Sequence, residues 1–429
     1  MSALPAETRA LIARERDLPA LGLLLDPGAL AARGMRVRYL RLKPGTSVVA
    51  GLETPVGPAF ALATSPRAAV KLEKAAVRAP EGSVLHHDRA LRLLIARPRA
   101  DRRLPGLRSL ARRASHSPAA LTLAYKPQRR WVGRRQGAEG AAVGPVLRLY
   151  RRGDLAGLGA RWPRAEADGP LPLRVPRILA EHPRRGLLAT EVLLGTRLDL
   201  LEDGSARCEA LREAGRGIAR WHRLPVPARA ASPLPDPRDL AAQITALLPE
   251  EGERAAEIAA RLAAALPADG RGGGQGGSSA QGAGAAVWCH GDFSADQLLV
   301  GPDGLALLDW DRSGAGPRSR DLATADAAGL SASAWEALLT GYDEISPVPA
   351  DLGTARAHAR LARAAEPLRT GDPAWPRALR AALAETEALL EDPAGPSAAR
   401  PAAAPSVSAP TPATATTATT TTTTEEHTR

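Results

Sequence analysis

With 429 residues the chain is long enough for two or three domains. Two cysteines, Cys208 and Cys289, and no Cys-x-x-Cys exclude a cysteine-held metal cluster, and no apolar run approaches the length of a membrane span. The net charge of +11 reflects four lysines and more than fifty arginines amid abundant Ala, Gly and Pro. No aromatic-interleaved basic patch or reader motif turns that charge into a nucleic-acid site. The charge is also divided along the chain. Residues 1–186 hold 35 basic and 14 acidic residues, a net +21, and residues 187–392 hold 20 and 30, a net −10. That division fits two ordinary solvated faces. It equally fits a cleft with one wall for phosphates and another for a cationic or polyhydroxyl ligand.

The first 35 residues read as one or two helices broken at Asp26-Pro27-Gly28. Val37 to Leu52 is strand, Lys-Pro-Gly turn, strand, and Ala59–Thr64 gives a third strand. Ser65, Pro66 and the run to Ala76 form an amphipathic helix, with Ser65 at the N-cap and Pro66 at the first helical position. The plan returns 83 residues later. Leu121 to Arg134 is again strand, Lys-Pro turn, strand, followed by the strand Val146–Tyr150 and a short helix near Asp154. The shared turns at Lys43 and Lys126 indicate a weak internal duplication. Val175–Leu179 and Gly186–Gly195 supply two further strands, and Ala206–Leu224 a helix with Leu211, Ala214, Ile218, Ala219 and Trp221 on one face. Helical pattern follows at 233–268. The Gly/Ser/Ala/Gln-rich stretch 269–286 reads as a flexible loop, since no strand leads into it and no phosphate-binding helix follows. Helices near 334–341, 353–366 and 376–391 precede an Ala/Pro/Thr tail, 393–429, with disordered composition.

The chemistry concentrates between Val287 and Ala323. An apolar lead-in ends in His290-Gly291-Asp292, and Gln297 follows Asp292 by five residues. Leu298–Val300, the Gly-Pro-Asp-Gly turn 301–304 and Leu305–Leu308 make a hairpin that delivers Asp309 to the same end as Asp292 and Gln297. Two carboxylates and an amide oxygen are the hard ligands and proton acceptor of a magnesium–nucleotide site.

This stretch, His-Gly-Asp-Phe…Gln-Leu-Leu-Val…Leu-Leu-Asp-Trp-Asp…Asp-Leu-Ala, resembles the aminoglycoside phosphotransferase/choline kinase-like family. The resemblance implies an α+β, bilobal protein kinase-like fold with an antiparallel-sheet N-lobe and a mainly helical C-lobe. An extra N-terminal α+β cap domain is similar to that of maltokinase-like members. The expected divisions are a cap at 1–115, an N-lobe at 116–195, a C-lobe at 196–392 and the tail. The implied activity is ATP-dependent phosphoryl transfer to a hydroxyl group of a small molecule: a sugar, an aminoglycoside or an amino alcohol. The alternative is a nucleotide-binding pseudokinase or scaffold without turnover. No nucleic-acid or membrane partner is implied, and a chain start without a signal-peptide layout points to the cytoplasm.

By the same resemblance Asp292 accepts or orients the substrate hydroxyl, while Asp309 and Gln297 hold Mg2+. His290, Asp311 and Asp321 support them. Arg148 stands where the family has its phosphate-binding Lys. Lys126, Arg129 and Arg130, in the hairpin turn above the cleft, read from their position either as further phosphate ligands or as a solvated basic turn. Backbone around Glu191 and Leu193 meets the adenine. The sequence departs from the pattern in Gln297 for Asn, in Arg148 for Lys, and in Gly316-Pro317-Arg318 where Gly-Asp-Pro is usual. Glu166 is the one candidate for the helix carboxylate that pairs with the phosphate-binding residue. His222, ending the helix in Trp-His-Arg-Leu, is expected to be a packed or capping histidine.

Overall fold

The computed structural model describes residues 4–114, 120–135, 144–158, 161–164, 171–227, 234–266 and 286–392. Glu166, residues 269–285 of the Gly-rich stretch and the tail 393–429 lie outside the described residues.

Two five-stranded antiparallel sheets form the first half. The first contains β1 (Arg36–Lys43), β2 (Ser47–Thr54), β3 (Gly57–Thr64), β4 (Val84–Asp88) and β5 (Leu93–Ala96), in the order β1-β2-β3-β5-β4. The second contains β6 (Ala120–Lys126), β7 (Arg130–Arg135), β8 (Val146–Tyr150), β9 (Ile178–His182) and β10 (Leu187–Thr190), in the order β6-β7-β8-β10-β9. Each inserts a helix between its third and fourth strands, Ala69–Val77 in the first and Asp154–Leu158 in the second. The two sheets therefore share one topology, and their first hairpins both turn at Lys-Pro. Ahead of the first sheet are three short helices rather than one or two, because Asp26 caps a new helix at Pro27 by accepting from Ala29 N (3.0 Å). Ser65 departs from expectation as well. It precedes a single 3-10 turn, Pro66–Ala68, and its side chain makes no capping bond there.

Burial explains how these pieces are joined. Leu21, Val48 and Leu52 of the first unit share one apolar core with Leu247, Leu262 and Leu379 of the C-terminal helices Pro237–Leu247, Gly252–Ala265 and Trp375–Glu391. Leu104 and Leu107, at the start of the helix Pro105–Ala114, cover one face of the second sheet together with Trp131 and Leu149. A boundary at residue 115 thus falls between this helix and the sheet it covers. The other face of the second sheet, through Tyr150 and Leu188, joins the core of the C-terminal half.

The C-terminal half is mainly helical around small strands: β11 (Thr196–Arg197), β13 (Leu298–Gly301) and β14 (Gly304–Leu307) in one sheet, β12 (Val287–Cys289) and β15 (Gly314–Gly316) in another. The chain is thus α+β and bilobal, an antiparallel-sheet lobe over a helical one, with an additional α+β part at its N-terminus. Below the hairpin β13–β14 the indoles of Trp221, Trp288 and Trp310 meet, with ring centroids 4.4 Å apart for Trp221–Trp310 and 4.9 Å for Trp221–Trp288. All three are fully buried and form the platform on which the His290 loop rests.

The helices Ser205–Trp221 and Ala332–Asp343 cross at two glycines, Gly215 and Gly341. A methyl group on Gly341 would run into the Arg212 carbonyl, and backbone cannot yield as a flexible side chain does. Overpacking of this kind costs about 1–3 kcal/mol. Gly341→Ala is therefore expected to lower the thermal midpoint clearly, whereas Gly204→Ala, with open space around the added methyl, is expected to leave it nearly unchanged. Thermal denaturation of the two variants checks the pair.

Candidate active site

The His290 loop is held by groups of the protein itself. His290 is wholly buried; its Nε2 lies 2.7 Å from the Leu308 carbonyl, and its Nδ1 accepts from Asp292 N at 3.3 Å. Those two contacts are compatible in the neutral tautomer that donates from Nε2. Asp321, in the first turn of the helix Ser319–Ala327, is also fully buried. Its Oδ2 accepts from His290 N (2.8 Å) and its Oδ1 from Gly291 N (2.7 Å). His222 Nε2 lies 3.1 Å from the same Oδ2, and its Nδ1 lies 3.0 Å from the Tyr342 hydroxyl. Burial alone would raise the Asp321 carboxyl, but the His222 imidazole and the backbone donors hold it below the ordinary carboxylate range. Gly291, at φ +79°, passes so close to the Arg312 carbonyl that a side chain would not fit. The geometry turns Asp292 out of the core, half-buried, with Oδ1 accepting from Arg312 Nη1 at 3.0 Å.

Asp309 arrives from the hairpin in left-handed backbone, φ 59° and ψ 61°, a conformation uncommon outside glycine and often found where a side chain must be aimed. Its Oδ1 takes Arg130 Nη1 at 2.7 Å and Arg148 Nη1 at 3.3 Å. The same Arg130 nitrogen also bonds to Asp311 Oδ2. Burial opposes charge on Asp309, yet the two guanidiniums outweigh it and hold the carboxyl far below its usual range. Arg130 is raised for the reciprocal reason: the two carboxylates overcome its desolvation.

Asp311 joins this wall to the opposite one. Its Oδ1 accepts from the Tyr150 hydroxyl (2.7 Å) and Trp162 Nε1 (3.3 Å), and its carbonyl accepts from Arg161 Nη1 (3.3 Å). Arg148, on the third strand of the second sheet, lies with its guanidinium carbon 5.0 Å from the Trp162 ring centroid. An aromatic face and Asp309 are thus its observed neighbours. Lys126, at the end of β6, lies within electrostatic reach of the same centre. Desolvation and the charges of Arg130 and Arg312 lower its ammonium, while Asp292 and Asp309 act in the opposite sense.

Among the residues singled out from sequence, the structure thus gathers Asp292, Asp309, Asp311, Arg148 and Lys126 in one region, braced by His290 and Asp321. Gln297 sits less directly. Its main-chain carbonyl accepts from Leu308 N (2.8 Å) and sets the register, while its side-chain amide donates to Asp296 (2.9 Å). Glu191 gives its N–H to the Arg177 carbonyl (3.0 Å), and its carboxylate receives Arg177 N and Nε. Leu193 follows in the segment between β10 and β11. Tyr150, Trp162 and Arg312 were not anticipated. Only Arg312, next to Asp-Trp-Asp, had a signal in its position. Three acids of the C-terminal half have other partners: Asp326 is buried on Arg356 and Arg360, Asp343 accepts from Val348 N, and Glu344 pairs with Arg212 and Arg216.

A model of the phosphotransferase enzyme family (APH) matches residues 134–358, more than half of the chain. The chain belongs to the phosphotransferase enzyme family. The match leaves the whole first sheet and the β6–β7 turn outside it. No curated protein matches the chain. Solved structures similar to it include a macrolide 2'-phosphotransferase from Brachybacterium faecium, 23% identical over 67% of this chain and 98% of that one, with a TM-score of 0.38. A choline/ethanolamine kinase family protein from Mesorhizobium loti is 16% identical over 67% and 95%, with a TM-score of 0.45. An aminoglycoside phosphotransferase from Streptomyces rimosus is 18% identical over 60% and 97%, with a TM-score of 0.42. Membership in the phosphotransferase enzyme family rests on the family match alone. Among the described residues no helix is long and apolar enough to cross a membrane.

The donor chemistry of the site suits a divalent cation in this phosphotransferase. Asp309 and Asp311 both present carboxylate oxygens, the hard donors such a cation takes, to a single cationic atom, Arg130 Nη1.

Proposed function

We propose that the protein transfers the γ-phosphoryl group of ATP to a hydroxyl group of a small molecule, with Asp292 as the catalytic residue. The observation that carries this reading is the convergence of Asp292, Asp309 and Asp311 on the cations Lys126, Arg130, Arg148 and Arg312. Asp292 takes the proton of the acceptor hydroxyl as its oxygen bonds to the γ-phosphorus; the bond to the bridging oxygen breaks and ADP leaves. Arg148 and Lys126 hold phosphate oxygens, and Arg130 joins them when its carboxylates turn to metal. Asp309 and Asp311 would hold Mg2+, with Gln297 contributing its amide oxygen after turning from Asp296. When bound, Mg2+ neutralises charge on the phosphates. The Glu191 carbonyl and the Leu193 backbone meet the adenine. His290 and Asp321 keep the loop rigid, so that catalysis is positioning and charge neutralisation rather than covalent chemistry.

The acceptor is a sugar, an aminoglycoside or an amino alcohol. The test is incubation with Mg2+–ATP and members of each class, with ADP release coupled to mass analysis of the acceptor. One new product, heavier than the acceptor by about 80 mass units, is the expected result. Within an active enzyme, Arg148→Met is expected to raise the KM for ATP about tenfold or more, as loss of a charge-assisted contact does. An unchanged KM would remove Arg148 from the phosphate site.

One observation favours a second reading. Arg148 faces Trp162, where the family pattern has Lys paired with Glu, and a nucleotide-binding pseudokinase tolerates that change. Saturable ATP binding with no product from any acceptor class would select it.

A further inference from the structure

We propose that Asp101, in the N-terminal part that the family match does not reach, is a positioning residue for the phosphates of the nucleotide. It clamps the β6–β7 turn so that Lys126 and Arg130, at the two ends of that turn, stand over Asp292 and Asp309. The proposal rests on the phosphotransferase reading.

The turn is Lys126-Pro127-Gln128-Arg129-Arg130 and contains no glycine. Pro127 fixes its own φ, and Gln128 stands at φ +62°, a conformation that a non-glycine residue keeps only when its surroundings hold it. The restraint comes from the first unit. Asp101 is 3% exposed, and its Oδ2 accepts from both Gln128 N (2.7 Å) and the Tyr125 hydroxyl (3.0 Å). Its Oδ1 accepts from Arg103 N (3.0 Å), which fixes the carboxylate plane. From β1, Arg41 Nη2 donates to Gln128 Oε1 at 3.0 Å. On β2, Gly51 leaves room for the turn: a side chain there would stand 3.2 Å from both Pro127 Cδ and the Tyr125 carbonyl. From β3, Phe60 meets the Tyr125 ring edge-on at 6.5 Å.

The unit that grips the turn is itself anchored to the helical lobe. Besides the shared core, Trp375 Nε1 donates to Thr8 Oγ1 at 3.0 Å, and Arg380 bridges Glu7 with Glu250 and Glu251. The first unit therefore contacts both the turn above the cleft and the lobe that carries the catalytic loop. It sets the distance between them. A turn without glycine has little freedom to close on phosphates, so its height must be supplied from outside, and Asp101 is the buried charge through which that height is imposed.

The experiment compares the full chain with Asp101→Ala and Asp101→Asn, using Mg2+–ADP, Mg2+–ATP and adenosine as probes in calorimetry. Amide exchange of residues 125–130 is followed on the same proteins. Expected for Asp101→Ala are faster exchange at Gln128, ADP and ATP affinity about tenfold weaker, and adenosine affinity unchanged. Asp101→Asn, which keeps one acceptor oxygen, recovers most of that loss. Equal loss for adenosine and ATP marks a general structural role and overturns the proposal, as does unchanged exchange of the turn. If Asp101→Ala fails to fold, Arg41→Ala is read in the same way: selective weakening of ADP and ATP supports the clamp, and wild-type affinities overturn it. A wild-type chain that binds none of the three probes overturns the phosphotransferase reading, and this proposal with it. A wild-type chain that binds them all alongside an indifferent Asp101→Ala overturns only the clamp.

Discussion

Asp292→Ala is expected to cut turnover by about a thousandfold, within the range measured for removal of a positioned acid or base, while the protein stays folded. The geometry separates the two effects. Asp292 projects from the loop, half-buried, and its observed side-chain partner is Arg312, whose side chain is 62% exposed. An exposed guanidinium released from its carboxylate is taken up by water, so the stability change is about 1 kcal/mol or less. The KM for ATP should change little, since the residue acts on the acceptor hydroxyl rather than on the nucleotide. Asp321→Ala is the contrasting variant. It leaves the N–H groups of His290 and Gly291 and the His222 imidazole in the core without their acceptor, and each unsatisfied buried group costs about 1–3 kcal/mol. Loss of activity from Asp321→Ala should therefore track loss of fold, and from Asp292→Ala it should not. Steady-state kinetics with the best acceptor, beside thermal melts, makes the comparison. Turnover within tenfold of wild type for a folded Asp292→Ala would remove Asp292 from the chemistry.

The lower wall of this site was legible in the sequence because its geometry is local. The hairpin follows from apolar runs flanking Gly-Pro-Asp-Gly, and a four-residue turn leaves few ways to deliver Asp309 anywhere but beside the His290 loop. The first three strands of the first sheet were legible for the same reason, since a Lys-Pro turn between alternating runs specifies a hairpin whatever surrounds it; Val84–Asp88 and Leu93–Ala96, which complete the sheet, were not. The upper wall was not. Trp162 lies 14 residues beyond Arg148 in irregular chain, and nothing in its neighbourhood marks it as the surface under a guanidinium. Tyr150 reads as one more apolar strand residue, and only the register that puts it against Asp311 gives its hydroxyl a partner. Asp101 and Gln128 are 27 residues apart and meet because one sheet docks on the end of another, a long-range choice that local pattern does not encode. Asp309, the carboxylate read from sequence as a metal ligand, is in the structure already paired with Arg130 and Arg148, and Arg130 also holds Asp311.

That pairing gives the largest expected change in stability. Arg130→Ala should destabilise the protein by about 3–5 kcal/mol, the cost of breaking a buried pair by removing one partner. Arg130 is 18% exposed on its side chain, and Asp309 and Asp311 are 15% and 13% exposed, so solvent cannot replace the lost charge. Without Arg130 two carboxylates face each other with Arg148 as the remaining partner of Asp309, an arrangement that favours protonation of one of them. The sign of the pH dependence then changes. In the wild type Asp309 is held below its ordinary value, so its contribution is fully present above about pH 4 and is lost as pH falls through the lowered value. In Arg130→Ala, burial acts with weaker opposition and moves Asp309 upward, so the variant should regain stability as the pH is lowered toward 5. A divalent cation offers the same relief at neutral pH. Millimolar Mg2+ without nucleotide should raise the melting temperature of Arg130→Ala by several degrees and that of the wild type by much less, since in the wild type the guanidinium already stands where the carboxylates converge. Melting curves of both proteins at pH 5 and 7.5, with Mg2+ and with EDTA, provide the measurement. Equal stabilisation of the two proteins by Mg2+ would show that Asp309 and Asp311 do not act as one cation site; a gain confined to the variant would show that arginine and metal compete for the same oxygens.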